Sequence, residues 1–207
     1  MTKSATKTAS ITFHPTAAPL RLGDFRAMND AVLRSALDIE RAPLSEMRPE
    51  DKPGVYVLFV NKETPSLRRY GSVITSGSFP IYVGSAKMLP DRLSAHRKTI
   101  VSAKGLNVSD FSVGVIYTDS HAMALAVEAI LIKELRLAWN ERPLSGFGSK
   151  EPGAERIAAQ RSSGFDCLHQ RTWAKTPSAT EVATARRALK TYLASGYVRP
   201  LWPELAA

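Results

Sequence analysis

Gly54-Val-Tyr-Val-Leu-Phe-Val60 holds β-branched and aromatic residues and no charge, and it follows the loop Pro49 to Pro53. Such a run reads as a buried strand. Phe79-Pro-Ile-Tyr-Val83 reads as the next strand, with Pro80 near its start, and Gly84 to Met88 as a turn. Pro90 and Asp91 suit the first turn of a helix running to about Lys104. Phe111-Ser-Val-Gly-Val-Ile-Tyr117 gives a third strand. Upstream, Phe25, Met28, Val32, Leu33, Ala36 and Leu37 recur at helical spacing between Asp24 and about Arg41, until Pro43 stops the pattern. The order predicts a small α+β fold, a central antiparallel sheet of about three strands flanked by helices, rather than a doubly wound sheet.

The last helix of this series is Ser120-His-Ala-Met-Ala-Leu-Ala-Val-Glu-Ala-Ile-Leu-Ile-Lys-Glu-Leu135. At 3.6 residues per turn Ala124, Leu125, Leu131, Ile132 and Leu135 share a face, and Glu128 falls near its middle. Lys133 and Glu134 point away, toward water. A carboxylate on an apolar face is costly unless paired, protonated or bound to a metal. Glu128 therefore marks a candidate site.

Composition narrows the class. The chain has 207 residues, enough for one core and an appended subdomain, and 44% of them are hydrophobic, as expected of a folded protein. Neither a membrane-length apolar run nor a signal-peptide core is present, and Cys167 is the one cysteine, so a reducing cytoplasm is expected. Lys and Arg total 28 against 19 acidic residues, a net charge of +9. That balance favours a polyanionic partner such as nucleic acid, although solubility or acidic lipid would also account for it.

Residues 1–22 lack periodicity and read as a loose N-terminal arm. Residues 23–150 form the expected main domain, interrupted by a polar excursion at 61–79. Residues 151–207 form an extension packed on the same core. Within it the stretch to about Pro177 is irregular. Ser178-Ala-Thr-Glu181 is a capping box that opens a helix carrying Val182, Ala185, Leu189 and Leu193 up to Gly196.

Arg92 and His96 lie four residues apart on one helical face. An arginine clamps phosphate with two parallel hydrogen bonds, and a histidine one turn away can relay a proton near neutral pH. With Arg97 and Lys98 beside them, the same residues also suit an exposed basic helix. Tyr56 and Tyr82 sit in strands next to Gly54 and Gly84, a pattern equally at home in a core. The combination is more telling than its parts. Gly54-Val-Tyr56, Tyr82-Val-Gly84, Arg92, His96, Glu128 and Asn140 together resemble the GIY-YIG nuclease superfamily, with valine for isoleucine in each half-motif. The resemblance covers about residues 50–150. Trp139-Asn140, Gly146-Phe-Gly148, Phe165-Asp-Cys-Leu-His169 and Arg171-Thr-Trp-Ala174 look like its type II restriction-endonuclease branch, as do the N-terminal helix and the excursion between the half-motifs. That excursion is longer than in most of the superfamily.

The resemblance implies metal-dependent hydrolysis of DNA phosphodiesters by a homodimer acting on a palindromic, GC-rich duplex site, with a cognate DNA methyltransferase acting on the same site. It implies Glu128 as ligand of Mg2+ (Mn2+ as the alternative ion), Arg92 on the phosphate, and Tyr82 orienting phosphate or water. Tyr56 would be the general base with His96 sharing its proton, once a nearby cation had lowered the phenol's pKa; otherwise His96 would be the direct base. Asn140 would position backbone or the network around the base, or merely cap a helix. Lys62, Arg68, Arg69, Lys87, Lys150, Arg156, Arg161 and Arg171 are expected to meet DNA as a group, through phosphates or guanine edges. His121 is expected to be partly buried near its helix start, His14 inert, His169 and Cys167 too isolated for zinc. Repair or mobile-element nucleases, a non-catalytic DNA-binding module, and an RNA-directed protein remain as other readings.

Overall fold

The computed structural model describes residues 26–61, 70, 79–149 and 162–195. In chain order they form α1 (Arg26–Leu37), β1 (Arg41–Pro43), β2 (Gly54–Val60), β3 (Phe79–Ala86), α2 (Leu89–Ser102), a 3-10 turn (Val108–Asp110), β4 (Phe111–Tyr117), α3 (His121–Leu135), α4 (Gly164–Leu168) and α5 (Ala179–Ala194). The strands make one sheet in the order β1-β4-β2-β3, antiparallel throughout, so the fold is α+β as expected. None of the described helices is long and apolar enough to cross a membrane.

β2 is the central strand and is buried at every position. Burying a Val, Leu or Phe contributes about 1.5–3 kcal/mol, so this strand anchors the core. Successive side chains of a strand point to opposite faces. Tyr56 and Tyr82 therefore look toward α2, while Ser85 looks toward α3, which packs across β2 and β3. α1 packs against α3 and β4 on that second face.

The sheet has four strands rather than about three. Arg41–Pro43, expected as the tail of the first helix, pairs instead with Ser112–Gly114 of β4. Pro43 lacks a donor but sits at the end of an edge strand, where none is needed. β3 runs on to Ala86, through the expected turn. α4 fell in a stretch expected to be irregular, since five residues are too few to show helical periodicity. α5 begins on the expected capping box, with Ser178 Oγ accepting from the Glu181 amide and the Glu181 carboxylate from the Ser178 amide.

On α3 the apolar stripe is narrower than its sequence suggests. Ala124, Leu131 and Leu135 are buried, but Leu125 is 49% exposed because it lies at the edge of the stripe. His121 is exposed rather than partly buried, at the first position of α3. Arg136, in the left-handed conformation, caps α3, so Asn140 is not its cap.

Two glycines set the approach of α2 to the sheet. Gly84 stands opposite Tyr56 in the ladder, and a Cβ there would fall on the Tyr56 hydroxyl and ring. A Cβ at Gly54 would come within 2.5 Å of the Ile116 carbonyl oxygen and 2.8 Å of Leu89 Cδ1, the first residue of α2. Gly84→Ala should displace the Tyr56 ring and destabilise the protein by about 1–3 kcal/mol, the scale of core overpacking. Chemical denaturation measures the loss, and an unchanged midpoint would refute the packing argument.

Candidate active site

β2, β3, α2 and α3 bring Tyr56, Tyr82, Arg92, His96 and Glu128 together. The Tyr56 hydroxyl lies 2.5 Å from His96 Nε2 and accepts from Arg92 Nε at 3.2 Å. Arg92 also interacts with the Tyr82 hydroxyl. On the other side of β3, Ser85 donates to Glu128 Oε2 at 2.5 Å. Glu128 is half-buried, and its charge reaches both tyrosines around the sheet edge. Asn140 clamps β3 between Tyr82 and Gly84, accepting from the Val83 amide at 2.8 Å and donating to the Val83 carbonyl at 2.9 Å. Of the two roles open to it, Asn140 plays the backbone-positioning one.

His96 is 1% exposed. Its ring stacks on Phe147, with centroids 4.6 Å apart, and meets Tyr82 edge-on at 5.5 Å. Burial first, and the Arg92 charge second, lower its pKa from 6.5 to about 3. The imidazole is therefore neutral. Burial and then the neighbouring Tyr82 push Tyr56 well above the ordinary phenol value; Arg92 opposes them without prevailing. This direction fails the condition on which the sequence reading made Tyr56 the direct base and leaves its alternative, His96, because desolvation outweighs one cation. With a protonated phenol and a neutral imidazole, the Tyr56 O–H donates to His96 Nε2 while Arg92 N–H donates to the phenol oxygen.

The loop after Asn140 closes the site. Arg92 donates a second hydrogen bond, 3.2 Å, to the Gly148 carbonyl. Gly148 is packed so closely that a Cβ would land on the Tyr82 hydroxyl. Beside it opens a cleft of about 390 Å³ lined by Arg92, His96, Lys98, Phe147, Ser149 and Trp173.

Among the basic residues expected to meet DNA, Lys62, Arg68, Arg69, Lys150, Arg156 and Arg161 lie outside the described residues. Lys87 is exposed just past the end of β3. Arg171 is a correction. It is 1% exposed and forms a two-pronged ion pair with Asp166, Nε to Oδ1 and NH2 to Oδ2, both 2.7 Å. Its guanidinium lies between the Phe165 and Trp173 rings, so it is a core residue and not a phosphate contact. His169 is likewise internal, bonded through Nε2 to the Tyr70 hydroxyl at 2.9 Å, and that hydroxyl accepts from Trp139 Nε1 at 2.8 Å. Arg97, which suggested an exposed basic helix, is half-buried and holds the Leu44 and Met47 carbonyls at 2.8 and 2.6 Å.

Sequence reasoning missed Ser85, Asp166 and the anchoring role of Tyr70. Strand alternation alone would have aimed Ser85 at the helix carrying Glu128. Nothing in the sequence distinguished Tyr70 from its polar surroundings.

The model of the Eco29kI GIY-YIG domain family, a restriction-endonuclease family, matches residues 85–193. The chain belongs to this family. The match contains Arg92, His96, Glu128, Asn140, Asp166 and Arg171 and begins just after Gly84, so the tyrosines of the two half-motifs are tied to the family residues by the geometry above. No match was found among curated proteins. The chain is thus a GIY-YIG endonuclease of restriction type.

The low His96 pKa carries a stability signature. Between 6.5 and about 3 the unfolded chain binds a proton that the folded chain does not, so stability rises with pH through that window and falls on acidification. His96→Gln keeps an acceptor for Tyr56 but does not titrate. Between pH 7 and pH ~4.5 the unfolding free energy, from denaturant titrations, should therefore fall less in the variant than in wild type, by an amount on the order of a few kcal/mol. Equal losses would show that His96 is not buried neutral.

Proposed function

We propose that this endonuclease hydrolyses phosphodiesters of double-stranded DNA at a specific, palindromic, GC-rich site, as a homodimer, with a DNA methyltransferase of the same specificity as its partner. The observation that carries the chemistry is the chain Arg92 N–H to Tyr56 oxygen to His96 Nε2. A phosphate drawn to Arg92 would bring the attacking water toward the Tyr56 oxygen. As the water oxygen bonds to phosphorus, its proton passes to Tyr56 and the Tyr56 proton passes to His96. The bond from phosphorus to the leaving oxygen breaks, and that oxygen takes a proton from solvent. The phosphate also offsets the Arg92 charge that helps to keep His96 neutral, so the imidazole becomes a better acceptor once substrate is in place. Because the phenol is held protonated, Tyr56 relays the proton and His96 is the base that receives it.

Glu128 fits a role as ligand of a hard divalent cation such as Mg2+, with Mn2+ as substitute. Its carboxylate is half-buried, oriented by Ser85 on the face of β3 opposite the tyrosines, and within electrostatic reach of both. Among the described residues no three His, Cys, Asp or Glu converge, so Glu128 would be the protein's carboxylate ligand and water and phosphate would supply the rest. When bound there, the cation would supply charge for the scissile phosphate and the leaving oxygen. Lys87 and the basic residues at 62, 68, 69, 150, 156 and 161, with the net charge of +9, support a DNA partner.

Plasmid or genomic DNA incubated with the protein and Mg2+ should yield discrete ends, identified by sequencing. Glu128→Gln, which keeps an acceptor for Ser85, should cut at least ~10²-fold more slowly, the scale of losing one charge-stabilising group. Cutting at the wild-type rate would remove Glu128 from the site, and scattered ends would remove site specificity. DNA affinity should also fall steeply between 50 and 200 mM salt, roughly 10³-fold for about six phosphate contacts. A flat response would remove the basic residues from the interface.

A further inference from the structure

Gly146–Ser149 belongs to no helix or strand, yet its Gly148 carbonyl receives the second hydrogen bond of Arg92. The two carbonyls flanking that one are held from behind. Arg171 NH1 donates to Ser149 oxygen at 3.2 Å and reaches Phe147 oxygen at 3.5 Å. The rest of the guanidinium is fixed by Asp166, and Asp166 Oδ2 accepts from Ser163 Oγ at 2.6 Å. The backbone around Arg171 is tied to the end of α2, the helix that carries Arg92. Lys104 N donates to the Gln170 carbonyl at 3.0 Å, Thr172 N donates to the Ser102 carbonyl at 2.9 Å, and Ala103 bridges to Arg171.

We propose that the buried Asp166–Arg171 pair is a positioning device for Arg92, fixing the loop that holds the phosphate-binding guanidinium and referencing it to the helix from which that guanidinium springs. The inference rests on the nuclease reading above. Arg171 touches neither substrate nor reacting atoms; it acts through Gly148 and Arg92. An arginine suits the place because its planar fork spans the carboxylate and both carbonyls at once, which an ammonium cannot do.

Arg171→Lys keeps the charge against Asp166 and loses the fork. Three measurements on the full chain test it. Single-turnover cleavage at saturating enzyme should slow by about 10- to 100-fold, the scale of a misplacement near 1 Å at a reacting centre. The dissociation constant for the same DNA in EDTA, and its salt dependence, should match wild type. The double variant Arg92→Lys/Arg171→Lys should cut no more slowly than Arg92→Lys alone, because both changes disable one guanidinium. Where Arg171→Lys does not fold, Ser163→Ala carries the test; it removes one of the two hydrogen bonds to Asp166 Oδ2, along with the side-chain cap of α4, and should show the same split at smaller size. Wild-type cleavage rate in the folded variant overturns the proposal. So do joint losses of rate and affinity with a shallower salt dependence, which would make Arg171 a phosphate contact, and so does a full multiplication of the two arginine effects. Wild-type protein that cuts no DNA overturns the nuclease reading and this inference with it, whereas active wild type with an equally active variant overturns the positioning role alone.

Discussion

The structure depends on the Tyr56 ring lying across Gly84. Antiparallel pairing of β2 and β3 sets the two residues opposite each other, and only a residue without a side chain leaves room for the ring. The ring thereby points its hydroxyl at α2, where Arg92 and His96 lie one turn apart and grip it from two sides. One steric fact about the sheet thus fixes the register of a helix against it. The same glycine lets β3 carry Tyr82 on one face and, one residue on, Ser85 on the other, so a single edge strand serves both the phenol side and the carboxylate side of the site.

Behind that layer an aromatic cluster joins α2 to the segments around Trp139 and Phe165. His96 stacks on Phe147, Phe147 on Trp139, and Trp139 meets Phe165 edge-on at 5.0 Å. Tyr70 enters the stack from the excursion between the half-motifs and hydrogen-bonds Trp139 and His169. Tyr70 is thereby tied to Trp139, the neighbour of Asn140, and to His169. Packing of this density transmits displacement, so a shift at Tyr70 or Phe165 is felt at the imidazole.

Much of this was legible in the sequence. The strands at 54–60, 79–83 and 111–117, the helix through Arg92 and the capping box at Ser178 all stood out, because each announces itself within a few residues. Glu128 stood out because a charge in an apolar stripe is a local anomaly. Three kinds of feature stayed hidden. β1 and α4 are too short for any period to show. The exposure of Leu125 and of His121 depends on what packs over α3, which is a tertiary fact. The upward shift of the Tyr56 pKa reflects a competition between burial and one cation, and sequence names the cation but not the depth of burial.

Arg92 and Arg171 show where residue identity runs out. Arg92 sits on a helix and Arg171 in an irregular segment, and both invited a phosphate. In the fold Arg171 has a carboxylate on both prongs and aromatic rings on its faces, so its charge is satisfied internally. Removing one partner of such a buried pair costs about 3–5 kcal/mol, and nothing of it is left to attract an anion. Arg92 has two phenols and a carbonyl instead, and among the described residues no carboxylate pairs with it. Neutral acceptors orient a guanidinium without cancelling its charge. The half-buried Arg92 therefore keeps an unmet demand for a negative group, at the mouth of a cleft and beside a neutral proton acceptor. What separates an arginine still open to an anion from a structural one is the charge of its neighbours, which the chain assembles only on folding.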